Sequence, residues 1–486
     1  MAFTGSGQYF AYDGLIAQAG NLADGSLSVG AGSFAFSALD VGLNQGSGPA
    51  TALGTVTLET GAAVALSIPA SAGGVVVGRS FDLSARAEGR LSLSSGSTLA
   101  ITALPGVAAG AGYDTLNIGT GPGGLGSVTL EGAGTALSLT GASATIRVGS
   151  QGGQGSLTVS GGTVESFLLR AGDGSTGAGS KGNVSLTGAD SHLTLGAAGT
   201  YLDPSRSGLA GGAVFGLGQG DGVLTLTGGA TLTAQNTPGN TDGARVIFGE
   251  GAGSYGYGLI SGGARLTVGQ EGTPPAGYTG GRLVIGAGGT GNLMLTAGGV
   301  AAATGPDNQI FIGAGGTLTL AGGHIEGALA LTGRLVLSPG ELTTERIAGP
   351  LAPEGGTIAL EINGFAPGQA DRLIFDTPQS FALTDLNLDF DLPAETFFLA
   401  GATAEIGTFT SPFAAAPGLV ESSDGRSFDL IVEEDLLLLR ARQGTPLSFR
   451  EDGGLAPVRL PGVADQLATP PEPSPLSLPE AFDFLL

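Results

Sequence analysis

The sequence lacks several residue types, and each absence excludes a class of protein. It contains no cysteine, so neither a disulfide nor a Cys-based metal site can form. Lys181 is the only lysine, and the formal net charge is −23. Nucleic acids and anionic membrane surfaces require clustered Lys and Arg residues. The composition therefore predicts no nucleic-acid partner and no attachment to an anionic membrane surface.

Long apolar runs are also missing. No stretch approaches the roughly 18 apolar residues that a membrane-spanning helix requires, so no membrane insertion is predicted. The first residues, MAFTGSGQYFAYDGL, lack the basic region and the long apolar region of a signal peptide. We therefore expect a cytoplasmic protein, a protein exported by another route, or a mature form.

Aromatic residues make up only 6% of the chain, whereas glycine supplies 93 of the 486 residues. The glycines follow no Gly-X-Y period, and 41% of the residues are hydrophobic, which argues against both collagen and disorder. The scarcity of aromatic rings suits a narrow core that is filled by Val, Leu, Ile and Ala.

A two-part phrase recurs along the chain. Its clearest copy, from Ile146 to Phe167, reads IRVGS and then GSLTVSGGTVESF. Other copies include VVVGRS…GRLSLSSGSTLAI and AVFGLG…GVLTLTGGATLTA. A fixed phrase with variable spacers is typical of a solenoid, in which one repeat cannot bury its apolar face alone.

The strand after each glycine alternates apolar and polar residues. Leu157 and Val159 face one way, while Ser156 and Thr158 face the other, which predicts strands with one buried side. Parallel stacking would bury all such apolar positions in one core, and these positions include Leu157, Val159, Leu224, Leu226, Leu318 and Leu320. The sequence thus predicts an all-β fold, a single-stranded parallel β-solenoid with a β-rich C-terminal cap and a Pro-rich tail.

The glycine that closes the first strand of each phrase gives a count of nine coils. These glycines are Gly42, Gly78, Gly119, Gly149, Gly172, Gly216, Gly249, Gly286 and Gly313. With coils about 4.8 Å apart, nine coils predict a rod roughly 40–45 Å long before the flanking regions are added. Paired glycines such as Gly228-Gly229 are predicted to form one corner, and a phosphate-binding loop is disfavoured because strands follow and lysine is missing.

The repeat divides the chain into four regions. We predict an N-terminal cap over 1–29, solenoid repeats over 30–328, final coils and a β-rich cap over 329–442, and an extended Pro-rich tail over 443–486. The tail is a candidate secretion or docking signal.

Coils such as IRVGSQGGQGSLTVSGGTVES resemble the Gly-rich repeats of autotransporter passenger domains and related bacterial surface proteins. The segment GGTIALEINGFAPGQADRLIFD is similar to the region that closes such passengers, and the resemblance covers about 30–442. From the printed residues we expect neither a translocator barrel after the cap region nor a signal peptide before the coils, which departs from the pattern of such passengers. The ending EAFDFLL looks like the ends of type I secretion substrates. The resemblance implies an extracellular or cell-surface bacterial protein.

Few residues are candidates for chemistry. His192 and His324 are predicted to lie at corners, without a nucleophile or a metal-binding spacing beside them. A polysaccharide-cleaving groove needs carboxylates at one angular position, but Asp190, Asp221 and Asp242 occupy different points of the phrase. We predict no catalytic residues and no cofactor.

The cap region contains another group of acidic residues. These residues are Asp371, Asp376, Asp385, Asp389 and Asp391. Asp389 and Asp391 share one side of a predicted strand and are the weak candidates for a calcium site, although the coils themselves are predicted to need no calcium.

The expected function is that of a structural or adhesive β-solenoid, a surface, matrix or filament subunit that associates head to tail. The candidate assembly residues are aromatic or apolar and lie near the two termini: Tyr9, Phe10, Tyr12, Phe482, Phe484, Leu485 and Leu486. Surface glycans are a further candidate partner. The alternatives are a polysaccharide-binding or polysaccharide-cleaving β-helix and a phage-type fibre.

Overall fold

The structure is a computed structural model that describes most of the chain. The described residues are 9–11, 14–19, 23–36, 39–44, 51–68, 74–82, 84–103, 115–140, 144–175, 179–196, 211–236, 243–269, 280–305, 307–338, 342–390, 392–393, 396, 398–411, 415–444, 447–449 and 455–457.

Three columns of parallel strands, called here faces 1, 2 and 3, build an all-β parallel solenoid. Face 1 consists of β2 (Gly14–Ala19), β5 (Leu39–Asn44), β8 (Val75–Ser80), β11 (Thr115–Thr120), β13 (Thr145–Ser150), β15 (Leu168–Asp173), β18 (Gly212–Leu217), β21 (Arg245–Glu250), β24 (Arg282–Ala287), β27 (Gln309–Ile312), β30 (Ala328–Leu331) and β33 (Leu351–Pro353).

Face 2 follows face 1 in each coil. It consists of β3 (Ala23–Val29), β6 (Thr51–Leu58), β9 (Arg86–Leu93), the first parts of β12 (Gly124–Thr140) and β14 (Gln154–Ser166), β16 (Lys181–Thr187), β19 (Asp221–Thr227), β22 (Tyr255–Ile260), β25 (Thr290–Thr296), β28 (Gly316–Ala321), β31 (Arg334–Leu337), β34 (Thr357–Ala359) and β36 (Asn387–Asp389).

Face 3 completes each coil. It consists of β1 (Tyr9–Ala11), β4 (Gly32–Phe36), β7 (Ala62–Ile68), β10 (Thr98–Ala103), the second parts of β12 and β14, β17 (His192–Leu195), β20 (Thr231–Ala234), β23 (Arg265–Gly269), β26 (Val300–Thr304), β29 (His324–Glu326), β32 (Thr344–Ala348), β35 (Arg372–Phe375) and β37 (Thr403–Phe409).

Five further strands follow the coils: β38 (Gly418–Glu421), β39 (Ser427–Glu433), β40 (Leu436–Ala441), β41 (Leu447–Phe449) and β42 (Leu455–Pro457). The only helical element within the described ranges is a 3₁₀ turn at Leu383–Asp385.

The predicted core is confirmed. The strands of successive coils pair in register, so that Leu157 lies beside Val184 and Val184 lies beside Leu224. The six predicted inward positions all have 0% relative exposure: Leu157, Val159, Leu224, Leu226, Leu318 and Leu320. One apolar interior therefore runs from coil to coil, as the period-2 alternation predicted.

The nine predicted coils are present, and face 1 has 12 strands within the described residues. The additional strands are β2 before the predicted coils and β30 and β33 after them. Ala17 of β2 occupies the register position of Gly42, so this strand lacks the glycine that marked a coil. With strands about 4.8 Å apart, 12 strands give a rod of about 53 Å.

Strand pairing also extends across the regions that the sequence separated. The strands β2 and β3 pair in parallel with β5 and β6, so the parallel ladders begin before residue 30. The region 329–442 starts with parallel strands and ends with antiparallel ones. The long segments outside the described residues at 104–114, 197–210 and 270–279 each connect face 3 to the next face 1 strand.

Successive coils approach closely at the corner between faces 1 and 2. Gly149 has φ +67°, and a Cβ atom on it would lie 1.8 Å from the carbonyl oxygen of Lys181 in the next coil. The face 2 side of this corner is equally crowded. A Cβ atom on Gly182 would lie 2.3 Å from the backbone nitrogen of Gly172. The two-part phrase therefore has a steric cause, since backbone packs directly on backbone at this corner.

The corner between faces 2 and 3 contains the paired glycines, as predicted. Gly228-Gly229 and Gly262-Gly263 form the turns that join β19 to β20 and β22 to β23. The corner is open at Gly263, where a Cβ atom would have no neighbouring atom within 4 Å.

Aromatic rings enter the coil core where glycine makes room for them. The rings of Phe215 and Phe248 are stacked, with their centroids 5.0 Å apart. A Cβ atom on Gly258 of the facing strand would lie 2.8 Å from Cε1 of Phe248. The inward position of β22 thus has no side chain because the Phe248 ring and the Leu293 side chain, whose Cδ1 would lie 2.6 Å from a Cβ atom there, occupy its volume.

The two corners allow a matched test of backbone stacking. We expect Gly263→Ala to cost about 1–2 kcal/mol, because alanine is placed in the left-handed region without a steric contact. Gly149→Ala incurs the same conformational cost and also forces two coils apart, which adds about 1–3 kcal/mol. Urea denaturation followed by circular dichroism measures both. Equal losses for the two variants would contradict backbone stacking as the cause of the phrase.

Candidate functional site: the two ends of the solenoid

The first coil presents an edge of strands at the N-terminal end. Within the described residues, β1 pairs with β4, β2 with β5 and β3 with β6, and each has this one partner. Tyr9 and Phe10 lie in β1, in register with Phe34 and Ala35. Tyr12 lies outside the described residues. Two of the three predicted N-terminal assembly residues, Tyr9 and Phe10, therefore lie on a strand with one described partner.

The C-terminal end is closed by a reversal of strand direction. The strand β40 pairs antiparallel with β37, β39 pairs antiparallel with β40, and β38 with β39. A backbone hydrogen bond stabilises the reversal, in which the N–H group of Gly401 donates to the carbonyl oxygen of Ala441 at 2.8 Å. The parallel pairing of face 3 therefore ends at β37, whose other neighbour, β40, is antiparallel to it.

Face 1 is terminated by prolines and by a side-chain amide. Pro353 lies in β33 and Pro350 directly precedes it, and neither has an N–H group to donate to a further strand. Gln379, which is 5% exposed, accepts from the N–H of Leu351 at 2.9 Å and donates to the carbonyl of Gly349 at 3.2 Å. This amide takes the place of the next strand.

Asp371 fastens the same end from within. Its side chain is 0% exposed, and its two carboxylate oxygens accept from the backbone N–H groups of Thr343 at 2.8 Å and Glu361 at 2.7 Å. Burial raises the pKa of Asp371, and the two backbone hydrogen bonds oppose that shift. A residue that the sequence offered as a cap carboxylate thus ties together backbone segments of the last coils.

The phenylalanines of the cap are packed inside it. Phe365 lies 4.6 Å from Phe398 and 6.0 Å from Phe428 between ring centroids, and Phe390 lies 5.6 Å from Phe428. Phe428 is fully buried. These rings form the core of the closure rather than an exposed contact surface.

The tail begins with a separate hairpin. The strands β41 and β42 pair antiparallel in their own two-stranded sheet. The predicted C-terminal assembly residues Phe482, Phe484, Leu485 and Leu486 lie outside the described residues.

One of the two candidate calcium ligands, Asp389, lies within the described residues. Asp389 ends β36, and its Oδ2 lies 2.6 Å from Nη2 of Arg334, so this carboxylate is engaged in an ion pair. Asp391 lies outside the described residues. No group of three or more His, Asp or Glu side chains in the described part of the chain has an arrangement suited to a metal ion.

The two histidines lie on strands, and their predicted placement at corners is wrong. His192 and His324 are the first residues of β17 and β29 on face 3, because each strand begins directly after the corner. His192 Nδ1 lies 2.8 Å from the Thr231 hydroxyl in the next coil, and His324 Nε2 lies 3.2 Å from Glu326 Oε1.

Glu326 also joins coils that the sequence separates widely. Arg265 forms a bidentate ion pair with it, in which Nη1 donates to Oε1 at 3.1 Å, and this hydrogen bonding lowers the pKa of Glu326. One coil, with strand β26, lies between Arg265 in β23 and Glu326 in β29. In β26 the register position beside Glu326 is occupied by the small residue Ala302, and the side chain of Arg265 extends across this coil. Sequence reasoning missed this pair because only the coil register reveals its proximity.

The acidic residues of the proposed cleavage groove remain apart. Asp190 lies in the turn before β17, whereas Asp221 is the first residue of β19, and both are exposed. Asp242 lies outside the described residues. Asp376 pairs with Arg346, and Asp385 ends the 3₁₀ turn. Asp190 and Asp221 therefore do not share one angular position on adjacent coils.

Neither a protein-family model nor a curated protein sequence matches the chain. The resemblance to autotransporter passengers stays a prediction. Among the described residues, no helix has the length and apolar character needed to cross a membrane.

The role of Gln379 as a terminating group can be measured. Gln379→Leu keeps the side chain's size but leaves the buried N–H of Leu351 and C=O of Gly349 without their partner. Each unsatisfied group costs about 1–3 kcal/mol, so we expect lower stability and faster amide exchange at Leu351.

The matched control is Asn387→Leu, which removes an exposed hydrogen bond from Nδ2 to the Gly355 carbonyl. That variant should change stability by less than about 1 kcal/mol. Unchanged exchange at Leu351 in Gln379→Leu would show that the amide does not close face 1.

Proposed function

We propose that this protein is an extracellular structural or adhesive β-solenoid, a surface, matrix or filament subunit that associates head to tail. The observation that supports this proposal is the difference between the two ends. The first coil presents edge strands with one described partner each, whereas the last coils are closed by antiparallel strands, prolines and Gln379. The extracellular location rests on the sequence resemblance and stays a prediction.

An edge strand is a template for further pairing, because its outer N–H and C=O groups seek partners. At the C-terminal end faces 1 and 3 are closed, whereas face 2 ends in the three-residue strand β36, which has one described partner, β34. This edge is shorter than the one that β1, β2 and β3 present together. The head-to-tail contact is therefore assigned to the segment after Gln443, which starts with the hairpin β41–β42 outside the solenoid sheets. In this arrangement the tail of one molecule adds to the N-terminal edge of the next.

Charge favours contact at the ends over contact at the sides. The net charge of −23 is distributed over a long rod, so two rods lying side by side repel each other along their length. A contact between different ends does not close on itself and propagates into a filament. End-to-end growth is therefore the mode of assembly that the charge permits.

Two truncations test the proposal. Deleting residues 1–14 removes β1 and the start of β2, and deleting residues 444–486 removes the tail. Each truncated protein alone should stay monomeric in analytical ultracentrifugation, while the full chain forms larger species. An equimolar mixture of the two truncated proteins should give dimers and nothing larger. The protein without residues 1–14 supplies only a tail, and the protein without residues 444–486 supplies only an N-terminal edge.

Circular dichroism of each truncated protein serves as the control that the solenoid remains folded. A full chain that stays monomeric at high concentration contradicts self-association. Dimers of the tail-deleted protein alone would contradict the head-to-tail arrangement and indicate contact between two N-terminal edges.

A further inference from the structure

Two tyrosines lie next to each other on the outer side of face 2. Tyr255 and Tyr257 alternate along β22 with the buried Gly256 and Gly258, so both rings belong to the outer surface. The core volume behind them is already occupied by the ring of Phe248. Packing of the interior therefore does not explain why this strand carries two of the chain's seven tyrosines.

The neighbouring rungs widen this surface into a platform. Tyr257 lies in register between Val223 of β19 and Asn292 of β25, and Leu259 lies beside Met294. All five side chains are half-buried, which is typical of a flat, closely packed surface rather than of protruding groups.

Polar groups are placed within the platform. Asn292 Nδ2 lies 3.3 Å from the Tyr255 hydroxyl, which orients both groups along the surface. Thr225 lies in register with Leu259 and adds a hydroxyl at one side, and the exposed Asp221 lies in register with Tyr255 at the other. An apolar surface with a few fixed hydrogen-bonding groups is the composition of a ligand-binding site.

The charge around the platform restricts what can bind there. A nucleic acid would also stack on tyrosine, but its phosphates need several cations, and Lys181 is the only lysine in the chain. A second copy of this chain brings another 23 negative charges against the side of the rod. An uncharged ligand avoids both penalties.

A saccharide has the matching chemistry. Its ring carries C–H groups on its faces, which pack against the apolar body of tyrosine, and hydroxyls at its edge, which bond to amide, hydroxyl and carboxylate groups. We propose that Tyr255, Tyr257 and Asn292 form a binding platform for an uncharged polysaccharide on face 2. This proposal is independent of the end-to-end assembly, because the platform lies on the lateral surface.

The experiment uses the full chain and a panel of soluble neutral glucans, galactans and mannans, with polygalacturonate as the charged comparison. The chain contains no tryptophan, so its emission comes from its seven tyrosines, two of which belong to the platform. We expect at least one neutral polysaccharide to change this emission and to retard the protein in affinity electrophoresis, while polygalacturonate does neither.

The double variant Tyr255→Ala with Tyr257→Ala should weaken the retardation by at least about tenfold, because both stacking rings are removed. Tyr257→Phe keeps the ring and should stay within about threefold of the parent. The matched control is Phe81→Ala, which removes a ring that is 55% exposed and lies outside the platform. It should bind as the parent does.

Absence of binding to every neutral polysaccharide of the panel would overturn the proposal, and so would a double variant that binds as tightly as the parent. If the double substitution abolished self-association instead, a second copy of the chain would be the occupant, and the saccharide assignment would be wrong. The truncations at the ends provide a separate measurement, so failure of either proposal is recognisable by itself.

Discussion

Successive coils touch through their backbones at the corner between faces 1 and 2, and this contact determines how the rest of the chain is arranged. A Cβ atom on Gly149 or Gly182 would lie about 2 Å from backbone atoms of an adjacent coil, at 1.8 Å and 2.2 Å respectively. Only glycine fits where the main chains of two coils are so close. Repetition of this contact keeps the coils in register, and the register aligns the alternating strands so that their apolar sides meet.

The same parallel stacking creates a problem at the ends. A parallel sheet has no internal stopping point, so each end must be either closed or used for pairing. At the C-terminal end the chain reverses direction in β40 and uses the Gln379 amide and the Asp371 carboxylate to satisfy backbone groups. The first coil has the edge strands β1, β2 and β3 instead. This difference between the ends gives the molecule a polarity on which directed assembly can act.

The lateral faces serve a separate purpose, because their outward residues do not contribute to the core. The coil register places residues from distant parts of the sequence side by side, as in the Arg265–Glu326 ion pair and the Tyr257–Asn292 neighbours. Small or apolar residues between such groups leave a flat surface. The proposed saccharide platform lies on such a lateral face, apart from the ends to which the proposed head-to-tail contact is assigned.

The amino-acid sequence by itself determined the class of fold and the inward positions. The alternation at Leu157 and Val159 and the recurrent glycines were sufficient, because both are local consequences of the strand period and of backbone packing. The tertiary structure alone decided the number of coils, the placement of His192 and His324 on strands, and the role of Gln379. Each of these depends on which residues of different coils share a register, and variable spacers hide that register from any reading along the chain.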